Sequence, residues 1–278
     1  MTTTAGKLWI VATPIGNLED LSPRARDVLA AVDLIAAEDT RHSAPLLRHF
    51  GIGTRSVALH EHNERDASGD LVARMQGGAS IALISDAGTP LISDPGFRLV
   101  RAAREAGIDV STVPGPCAAI AALSIAGLPS DRFVFEGFLP PKSSARRSHL
   151  ESLRGETRTL IFYESSHRIL DTLRDAATIF GDRRAAVARE LTKLYETVLD
   201  GTLPELCDRV AANMDQQRGE FVVLIAGSSE DADAARLTEG KRVFELLRDD
   251  LPPGRAAKLA SKISGAQRNA LYAVRDEK

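Results

Sequence analysis

Short apolar runs alternate with helical patterns through the first half of the chain, and this alternation constrains the fold more than any other feature. The apolar runs predict strands at Leu8–Thr13, Asp33–Ala37, Ser56–Leu59, Ser80–Ser85 and Asp109–Val113. Helical patterns lie between them, from Ser22-Pro23 onward and over Arg41–Phe50, Asp66–Gln76 and Pro95–Ala106. Strands and helices that alternate in this way form a parallel sheet. The sequence therefore predicts an α/β fold, with a further helix over Cys117–Ala126.

The second half of the chain has a different pattern. Strands are predicted at Phe133–Leu139, Thr159–Tyr163, Ala185–Leu191, Glu196–Leu203 and Glu220–Ala226, with helices at His167–Ile179 and Pro204–Met214. The short gap between the third and fourth of these strands favours antiparallel pairing, and so a mixed sheet. The polar, acidic stretch Ser228–Asp233 is typical of a linker, and short helices broken at Pro252-Pro253-Gly254 and Ser264-Gly265 follow it. We expect three parts, at residues 1–127, 128–228 and 234–278.

Composition excludes several classes of protein. No apolar run approaches the ~20 residues that a membrane-spanning helix needs, and the N-terminus lacks a signal-peptide pattern. The two cysteines, Cys117 and Cys207, have no paired ligand spacing, and His60-Glu61-His62 lacks the spacing of a helical metal site. We expect a cytoplasmic protein without membrane contact, disulfide framework or bound metal.

The charge is distributed unevenly along the chain. Residues 236–278 hold ten Lys and Arg against six Asp and Glu, a net charge of +4, although the whole chain carries −3. Between Pro252 and Arg275 there are five basic residues and no acidic one. A basic segment of this kind suits contact with phosphate groups, although a solvated helix face would have the same composition.

The segment after the fourth predicted strand is the strongest candidate for a ligand site. Ligands of open α/β sheets bind at the carboxyl ends of the strands, where Asp86 stands with Gly88 beside it. Asp94-Pro95 instead predicts the start of a helix, with Asp94 as the N-cap and Pro95 in the first turn. Asp86 is therefore the predicted ligand residue, and Asp94 is predicted to be structural.

Other strand ends add charge to the same region. The loop at residues 12–20 lacks the glycine spacing of a dinucleotide or triphosphate site. Asp39 or Thr40 can cap the next helix, but Arg41 and His42 oppose its dipole, which an anionic substrate would explain. Charges at residues 189, 190 and 193 lie in a strand-like segment, where a functional cleft explains them better than burial does.

Seven motifs, taken in order, carry a resemblance to a known family. They are ATPIGNLED (12–20), AEDTRHS (37–43), SDAGTPLISDPG (85–96), VPGPCA (113–118), FEGFLPPK (135–142), FYESSHR (162–168) and ARELTK (188–193). Together they resemble the tetrapyrrole methylase superfamily of S-adenosylmethionine-dependent methyltransferases. The resemblance is greatest to the branch that methylates the 2′-hydroxyl of a cytidine in small-subunit (16S) ribosomal RNA.

The resemblance implies two α/β domains of the class III methyltransferase type, with a small helical, helix-turn-helix-like C-terminal appendage. It places S-adenosylmethionine in the cleft between the domains and implies a homodimer. The cofactor-binding positions that it implies are Pro14, Ile15, Asp86, Gly88, Thr89, Cys117, Ala118, Tyr163 and Ala188. The implied partner is 16S ribosomal RNA within the small ribosomal subunit.

Charge placement indicates how such an enzyme would treat RNA. Phosphate contacts need basic side chains, and the candidates are Arg41, His42, Lys142, Arg146, Arg147 and Arg189, with residues 142–147 expected to form a loop. The sulfonium methyl is already electrophilic, but a ribose hydroxyl is a poor acid and needs a general base. Lys193 and Glu190 are the candidates for that role.

Two other functions are open at this point. A methyltransferase of the same fold could act on a small molecule such as a tetrapyrrole. Pro14 stands where a glycine is common in corrin-type relatives, and the basic segments fit RNA better. A non-catalytic RNA-binding protein could use the cofactor as a structural ligand, but it would have no need for the charges at residues 189, 190 and 193.

Overall fold

A computed structural model describes residues 6–228 and 232–272. Within residues 6–228, ten strands form two five-stranded sheets. The first sheet has the order β3-β2-β4-β1-β5 and is parallel throughout. Its strands are β1 (Lys7–Val11), β2 (Leu34–Ala37), β3 (Ser56–Ala58), β4 (Ile81–Ile84) and β5 (Asp109–Val113). The helices of this half are α1 (Pro23–Ala31), α2 (Thr40–His49), α3 (Glu64–Gln76), α4 (Phe97–Glu105) and α5 (Ala118–Ile125).

The second sheet has the order β6-β7-β10-β8-β9 and is mixed. Only β6 and β7 pair in parallel, and the predicted antiparallel pairing of β8 with β9 is confirmed. The strands are β6 (Phe133–Phe138), β7 (Thr159–Ser165), β8 (Arg184–Arg189), β9 (Thr197–Thr202) and β10 (Glu220–Ile225). The helices are α6 (Ser143–Ser152), α7 (Ile169–Phe180) and α8 (Leu203–Ala212).

Both faces of each sheet are covered. Two apolar clusters lie on the first sheet, and one face of the second packs against helices α6 to α8. The other face of the second sheet packs against Ala119, Ala122 and Leu123 of α5. Because α5 directly follows the last strand of the first sheet, this packing brings the strand ends of the two sheets together.

Local signals in the sequence located most of these elements. The bounds of all the predicted strands and helices lie within two residues of those observed. Ser22 accepts a hydrogen bond from the Ala25 amide at 3.1 Å, and Pro23 occupies the first turn of α1 as predicted. Of the two proposed caps of α2, Asp39 serves, accepting from the Arg41 amide at 2.8 Å. The predicted loop at residues 142–147 is wrong, because α6 begins at Ser143.

The C-terminal helices form a small cluster with its own apolar core. They are α9 (Ala232–Leu247), α10 (Pro253–Ser264) and α11 (Arg268–Tyr272), and the breaks between them, at residues 248–252 and 265–267, each overlap a predicted break by one residue. Ala256, Ala257 and Ala260 are buried, so the bases of α10 lie on its exposed face. Residues 229–231 of the predicted linker, and Arg275, lie outside the described residues. No helix in the described part of the chain is long and apolar enough to cross a membrane.

Candidate functional site

A cavity of about 480 Å³ lies between the two sheets. On one side it is lined by the segments that follow β1, β2 and β4, and on the other by residues of β6, β7, β8 and β10. Of the predicted cofactor residues, the structure brings seven to its wall: Ile15, Asp86, Gly88, Thr89, Ala118, Tyr163 and Ala188. Pro14 and Cys117 are outside that lining, although each precedes a residue within it. The binding role of these nine residues stays a prediction.

Backbone groups at Gly88 form part of the cavity wall. The Thr13 amide donates to the Gly88 carbonyl at 2.8 Å, and the Gly88 amide donates to the Thr13 carbonyl at 3.1 Å. Gly88 has a φ of +82°, and a Cβ there would lie 3.3 Å from Cγ2 of Ile15. Glycine is needed here for its backbone conformation and for the close approach of the two loops. The hydroxyl of the next residue, Thr89, donates to the Pro116 carbonyl at 2.9 Å, which fixes the position of Thr89.

Two acidic residues, Glu38 and Asp86, brace the ends of β2 and β4. The Asp39 amide donates to Oδ1 of Asp86 at 3.0 Å, and the Asp86 amide donates to Oε2 of Glu38 at 3.2 Å. Burial raises the pKa of Glu38, although the amide of Asp86 opposes that shift. Asp86 thus lies at the predicted strand end, but its carboxylate already holds a neighbouring loop.

Asp94 is not the cap of α4, and the prediction that it is structural on that ground is wrong. The helix begins at Phe97, after Gly96. Oε1 of Glu64, a buried residue at the start of α3, accepts hydrogen bonds from the amides of Gly96 at 2.9 Å and Arg98 at 2.7 Å. Asp94 instead lines the cavity. Burial first, and then the charge of Glu38, raises the pKa of Asp94 to about 7.

Tyr163 reaches the cavity from the second sheet. Its hydroxyl accepts a hydrogen bond from the Ala119 amide at 3.2 Å, at the N-terminus of α5. Its ring makes edge contacts with Phe135 at 4.9 Å and Phe138 at 5.6 Å between centroids. Burial is the main cause that raises its pKa, so the phenol stays protonated near neutral pH. Tyr163 therefore joins an aromatic wall to the start of α5.

The cavity wall is acidic. Among the described residues that line it there are five carboxylates and no Lys, Arg or His side chain. The carboxylates are Glu38, Asp86, Asp94, Glu164 and Glu220. Glu164 is paired with Arg168 at 2.7 Å, outside the lining. A wall of this charge suits a cationic ligand and disfavours a phosphate-bearing one.

The predicted catalytic residues, Lys193 and Glu190, lie beside the cavity without lining it. Nζ of Lys193 lies 2.9 Å from Oε1 of Glu190 and 2.7 Å from Oε2 of Glu220. Burial alone would lower the pKa of Lys193, but the two carboxylates raise it above the ordinary value. The pKa of Glu190 is lowered, because Lys193 and the Glu220 amide outweigh the effect of burial. A protonated, doubly paired lysine and an occupied carboxylate do not suit the predicted general-base role.

Two of the predicted RNA contacts are wrong because their side chains are buried. Arg146 is 4% exposed and pairs with Asp175 at 2.7 Å, which ties α6 to α7. Arg189 is 8% exposed and donates to the carbonyls of Arg218 at 2.6 Å and Tyr195 at 3.0 Å. Both guanidinium groups satisfy partners within the chain, so neither is presented to a ligand.

The other predicted RNA contacts lie on the surface. Arg41, His42, Lys142 and Arg147 are exposed. Arg41 follows the cavity residue Glu38 by three positions, and Lys142 follows the cavity residue Phe138 by four. Both residues thus belong to segments that begin at the cavity wall, and the guanidinium of Arg41 pairs with Asp39 at 2.7 Å. Their contact with RNA stays a prediction.

Sequence reasoning missed Glu38, Glu64 and Asp94. Glu38 had a detectable signal, because it is an acid directly after a buried strand, as Asp86 is. Glu64 had none, because its partners are backbone amides 32 and 34 residues away. Asp94 was assigned to a cap that Glu64 in fact supplies.

Comparison with known proteins gives consistent matches. Residues 7–207 match the family model of tetrapyrrole (corrin/porphyrin) methylases, and residues 231–274 match that of the RsmI C-terminal HTH domain. A protein of Xylella fastidiosa (strain Temecula1) named ribosomal RNA small subunit methyltransferase I is 61% identical, over 97% of this chain and 98% of the relative. Proteins of the same name from Pseudomonas aeruginosa and Escherichia coli O157:H7 are 57% and 54% identical, over 96% or more of this chain and 96% and 93% of their own lengths.

Solved structures share the fold at low sequence identity. A uroporphyrin-III-C-methyltransferase from Thermus thermophilus aligns with a TM-score of 0.57 at 20% identity, over 80% of this chain and 94% of that one. A diphthine synthase aligns with a TM-score of 0.59 at 15% identity, over 79% and 89% of the two chains. These likenesses extend to the two-sheet architecture and not to the substrate.

Proposed function

This chain belongs to the tetrapyrrole methylase family, and on that premise we propose that it is an S-adenosylmethionine-dependent methyltransferase acting on ribosomal RNA. The proposed reaction is 2′-O-methylation of a cytidine in 16S ribosomal RNA, within the small ribosomal subunit. Three relatives named ribosomal RNA small subunit methyltransferase I, which are 54–61% identical over nearly the whole chain, support an RNA substrate.

The acidic cavity is the single observation in the structure that best supports this function. S-adenosylmethionine carries a sulfonium, an ammonium and a carboxylate group and so has a net positive charge. The described lining offers five carboxylates and no cationic side chain, although Glu164 and Glu220 are paired with Arg168 and Lys193 outside it. Gly88, with its neighbour Ile15, forms a part of the wall that we call the Gly88 cradle: a Cβ on Gly88 would lie 3.3 Å from Cγ2 of Ile15 and would narrow the cavity there. The residues present therefore fit this cofactor.

When bound, S-adenosylmethionine supplies an electrophilic methyl group. The residues of the chain must then exclude water and hold a ribose oxygen within near-attack distance of it. Tyr163 and Phe138 line the cavity with apolar ring surface, and Gly88 lines it from the segment after β4. The exposed side chains of Arg41 and Lys142 are proposed to hold phosphates.

The paired residues Lys193 and Glu190 are proposed to position the cavity rim. The Lys193 side chain packs against Gly16 of the first half, where a Cβ would lie 2.4 Å from Cγ of the lysine. Its ammonium also holds Glu220, which lines the cavity. Lys193 thus connects the loop after β1 to the start of β10.

The C-terminal helices are proposed to add a second RNA contact. Arg255, Lys258 and Lys262 lie exposed on α10. We further propose division into domains at residues 1–127, 128–228 and 234–278, a homodimer, and action in the cytoplasm, where ribosomal subunits are found. Light scattering after gel filtration would test the oligomeric state.

Transfer of labelled methyl from S-adenosylmethionine to purified small ribosomal subunits, followed by nucleoside analysis, tests the function. The expected product is 2′-O-methylcytidine. A matched variant with Arg255, Lys258 and Lys262 replaced by glutamine should bind the cofactor normally but methylate RNA less. Cofactor binding without transfer to subunits or free RNA would contradict the proposal and favour a small-molecule substrate.

A further inference from the structure

The segment at residues 91–96 connects β4 to α4 and has a strained backbone, which a simple connection between a strand and a helix does not require. Leu91 and Ser93 have φ values of +73° and +69°, in the left-handed region that non-glycine residues avoid. A residue in this conformation is strained and persists only where its surroundings hold it. These two strained residues lie just before Asp94, which lines the cavity.

Contacts hold this segment from both sides. Its C-terminal end is fixed by Glu64, which accepts hydrogen bonds from the amides of Gly96 and Arg98. Ser93 approaches the second sheet, where a Cβ on Gly137 of β6 would lie 3.1 Å from its hydroxyl oxygen. The segment is thus anchored to the first half of the chain and in contact with the second, and Asp94 lies between the two.

The three carboxylates on this side of the cavity differ in their partners. Glu38 and Asp86 each accept a hydrogen bond from a backbone amide. Among the described residues no backbone amide donates to Asp94, and Ser85 is the group that favours its charged form. Asp94 is therefore the carboxylate best able to exchange a proton with a ligand.

We propose that Asp94 is the general base that accepts the proton of the substrate hydroxyl during methyl transfer. This inference rests on the proposed function. The hydroxyl oxygen forms a bond to the methyl carbon, while the methyl–sulfur bond breaks and leaves its electron pair on sulfur. The hydroxyl proton passes to the Asp94 carboxylate, which returns it to solvent after the product leaves.

The surroundings of Asp94 suit this role. Burial and the charges of Glu38 and Asp86 raise its pKa, to about 7. Tyr163 faces it from β7, and Glu164 and Glu220 line the cavity on that side. A base whose pKa lies near the working pH combines a useful ionised fraction with proton affinity. Near neutral pH a substantial share of Asp94 is ionised and can accept a proton.

The test compares the wild type with Asp94→Asn, Asp94→Glu and a control, Asp70→Asn, on the exposed surface of α3. Two quantities are measured: the single-turnover rate of methyl transfer to small ribosomal subunits at saturating cofactor and RNA, and the Kd for S-adenosylmethionine by calorimetry. We expect Asp94→Asn to lower the rate about 100-fold or more, with its Kd within about threefold of wild type. Asp94→Glu should recover part of the rate, and Asp70→Asn should match the wild type.

The pH profile separates a base from a structural residue. The wild-type rate should rise with pH through the range around 7, and Asp94→Asn should lose that rise. A single-turnover rate within threefold of wild type for Asp94→Asn would overturn the inference. So would an unchanged saturating rate with a Kd weakened tenfold or more, since that result would make Asp94 a cofactor-binding residue. A wild type that transfers no methyl to RNA would overturn the proposed function, and this inference with it.

Discussion

Oε1 of Glu64 accepts a hydrogen bond from the amide of Gly96 at 2.9 Å, and this contact joins the first turn of α3 to the start of α4. The same oxygen accepts from the Arg98 amide at 2.7 Å. A negative charge at a helix N-terminus satisfies amides that have no partner within the helix and interacts well with the helix dipole. A distant side chain therefore does the work of a local cap, and Asp94 is left to face the cavity.

Replacing this distant cap should destabilise the protein. Glu64→Ala removes a buried acceptor for two amides, and we expect a loss of about 2 kcal/mol in the free energy of unfolding by urea. Faster hydrogen exchange at the Arg98 amide should accompany it. Glu61→Ala, at an exposed position three residues earlier, is the control and should change stability by less than about 0.5 kcal/mol. Equal effects of the two variants would refute the capping role.

The adjacent arginines 146 and 147 should have separable roles. Arg146→Met leaves Asp175, itself largely buried, without its close partner, and we expect a loss of roughly 2–4 kcal/mol in unfolding free energy. Arg147, whose nearest approach to Asp175 is 3.8 Å, is half exposed. Arg147→Met should leave stability nearly unchanged, weaken RNA binding and reduce its salt dependence. Filter binding at several salt concentrations, with urea unfolding of both variants, would show whether the roles are instead reversed.

The glycine at position 88 should matter for cofactor binding beyond its backbone conformation. Gly88→Ala places a methyl group 3.3 Å from Ile15, in the cavity wall, and we expect S-adenosylmethionine affinity to fall at least tenfold by calorimetry. Gly107→Ala is the matched control, because Gly107 also has a positive φ, +72°, but has open space around it. Both variants should lose about 1 kcal/mol of stability from backbone strain. Only Gly88→Ala should lose affinity; similar affinities would show that the cradle does not contact the ligand.

The stability of the cofactor-free protein should depend on pH through Asp94. Its folded-state pKa, about 7, lies above the ordinary value of 3.8, so the folded state holds a proton that the unfolded chain releases. The resulting stability is fully present below about pH 4 and is lost as pH rises toward 7. Asp94→Asn should lack this loss and should gain roughly 1–3 kcal/mol relative to wild type between these pH values. Urea unfolding at pH 4.5 and 7.5 measures this difference. If the free energies of unfolding of wild type and Asp94→Asn change equally between the two pH values, the pKa of Asp94 lies near its usual value.

The ion pairs of Lys193 should maintain the cavity rim. Lys193→Met leaves Glu190 and Glu220 to repel each other, and we expect a loss of about 1–2 kcal/mol in unfolding free energy and an increased KM for RNA. Because Lys193 is protonated in its ion pairs, the pH dependence of the single-turnover rate should keep its shape. Arg218→Met is a control, since Arg218 forms an exposed pair with Asp215. A pH profile that becomes flat in Lys193→Met would restore the lysine as the general base.

The amino-acid sequence by itself determined the strands and helices of both sheets, because their signals are local. Apolar runs, the Ser22-Pro23 start and glycines after helices each depend on neighbouring residues alone. The motif order was likewise sufficient to indicate the family. The position after a strand located Asp86 and Gly88 at the cavity, since strand ends of a parallel sheet share one edge, whereas Tyr163 was implied by the family resemblance.

Only the tertiary structure decided which charged side chains are free to act. Arg146 and Arg189 are residues of the type that binds RNA phosphates. In the folded chain, however, Arg146 pairs with Asp175, and Arg189 donates to two backbone carbonyls. Asp94 has the local pattern of a helix cap but is displaced from that role by Glu64, 32 residues before Gly96. Burial, long-range hydrogen bonds and pKa shifts arise from residues far apart in the chain, so no local pattern specifies them.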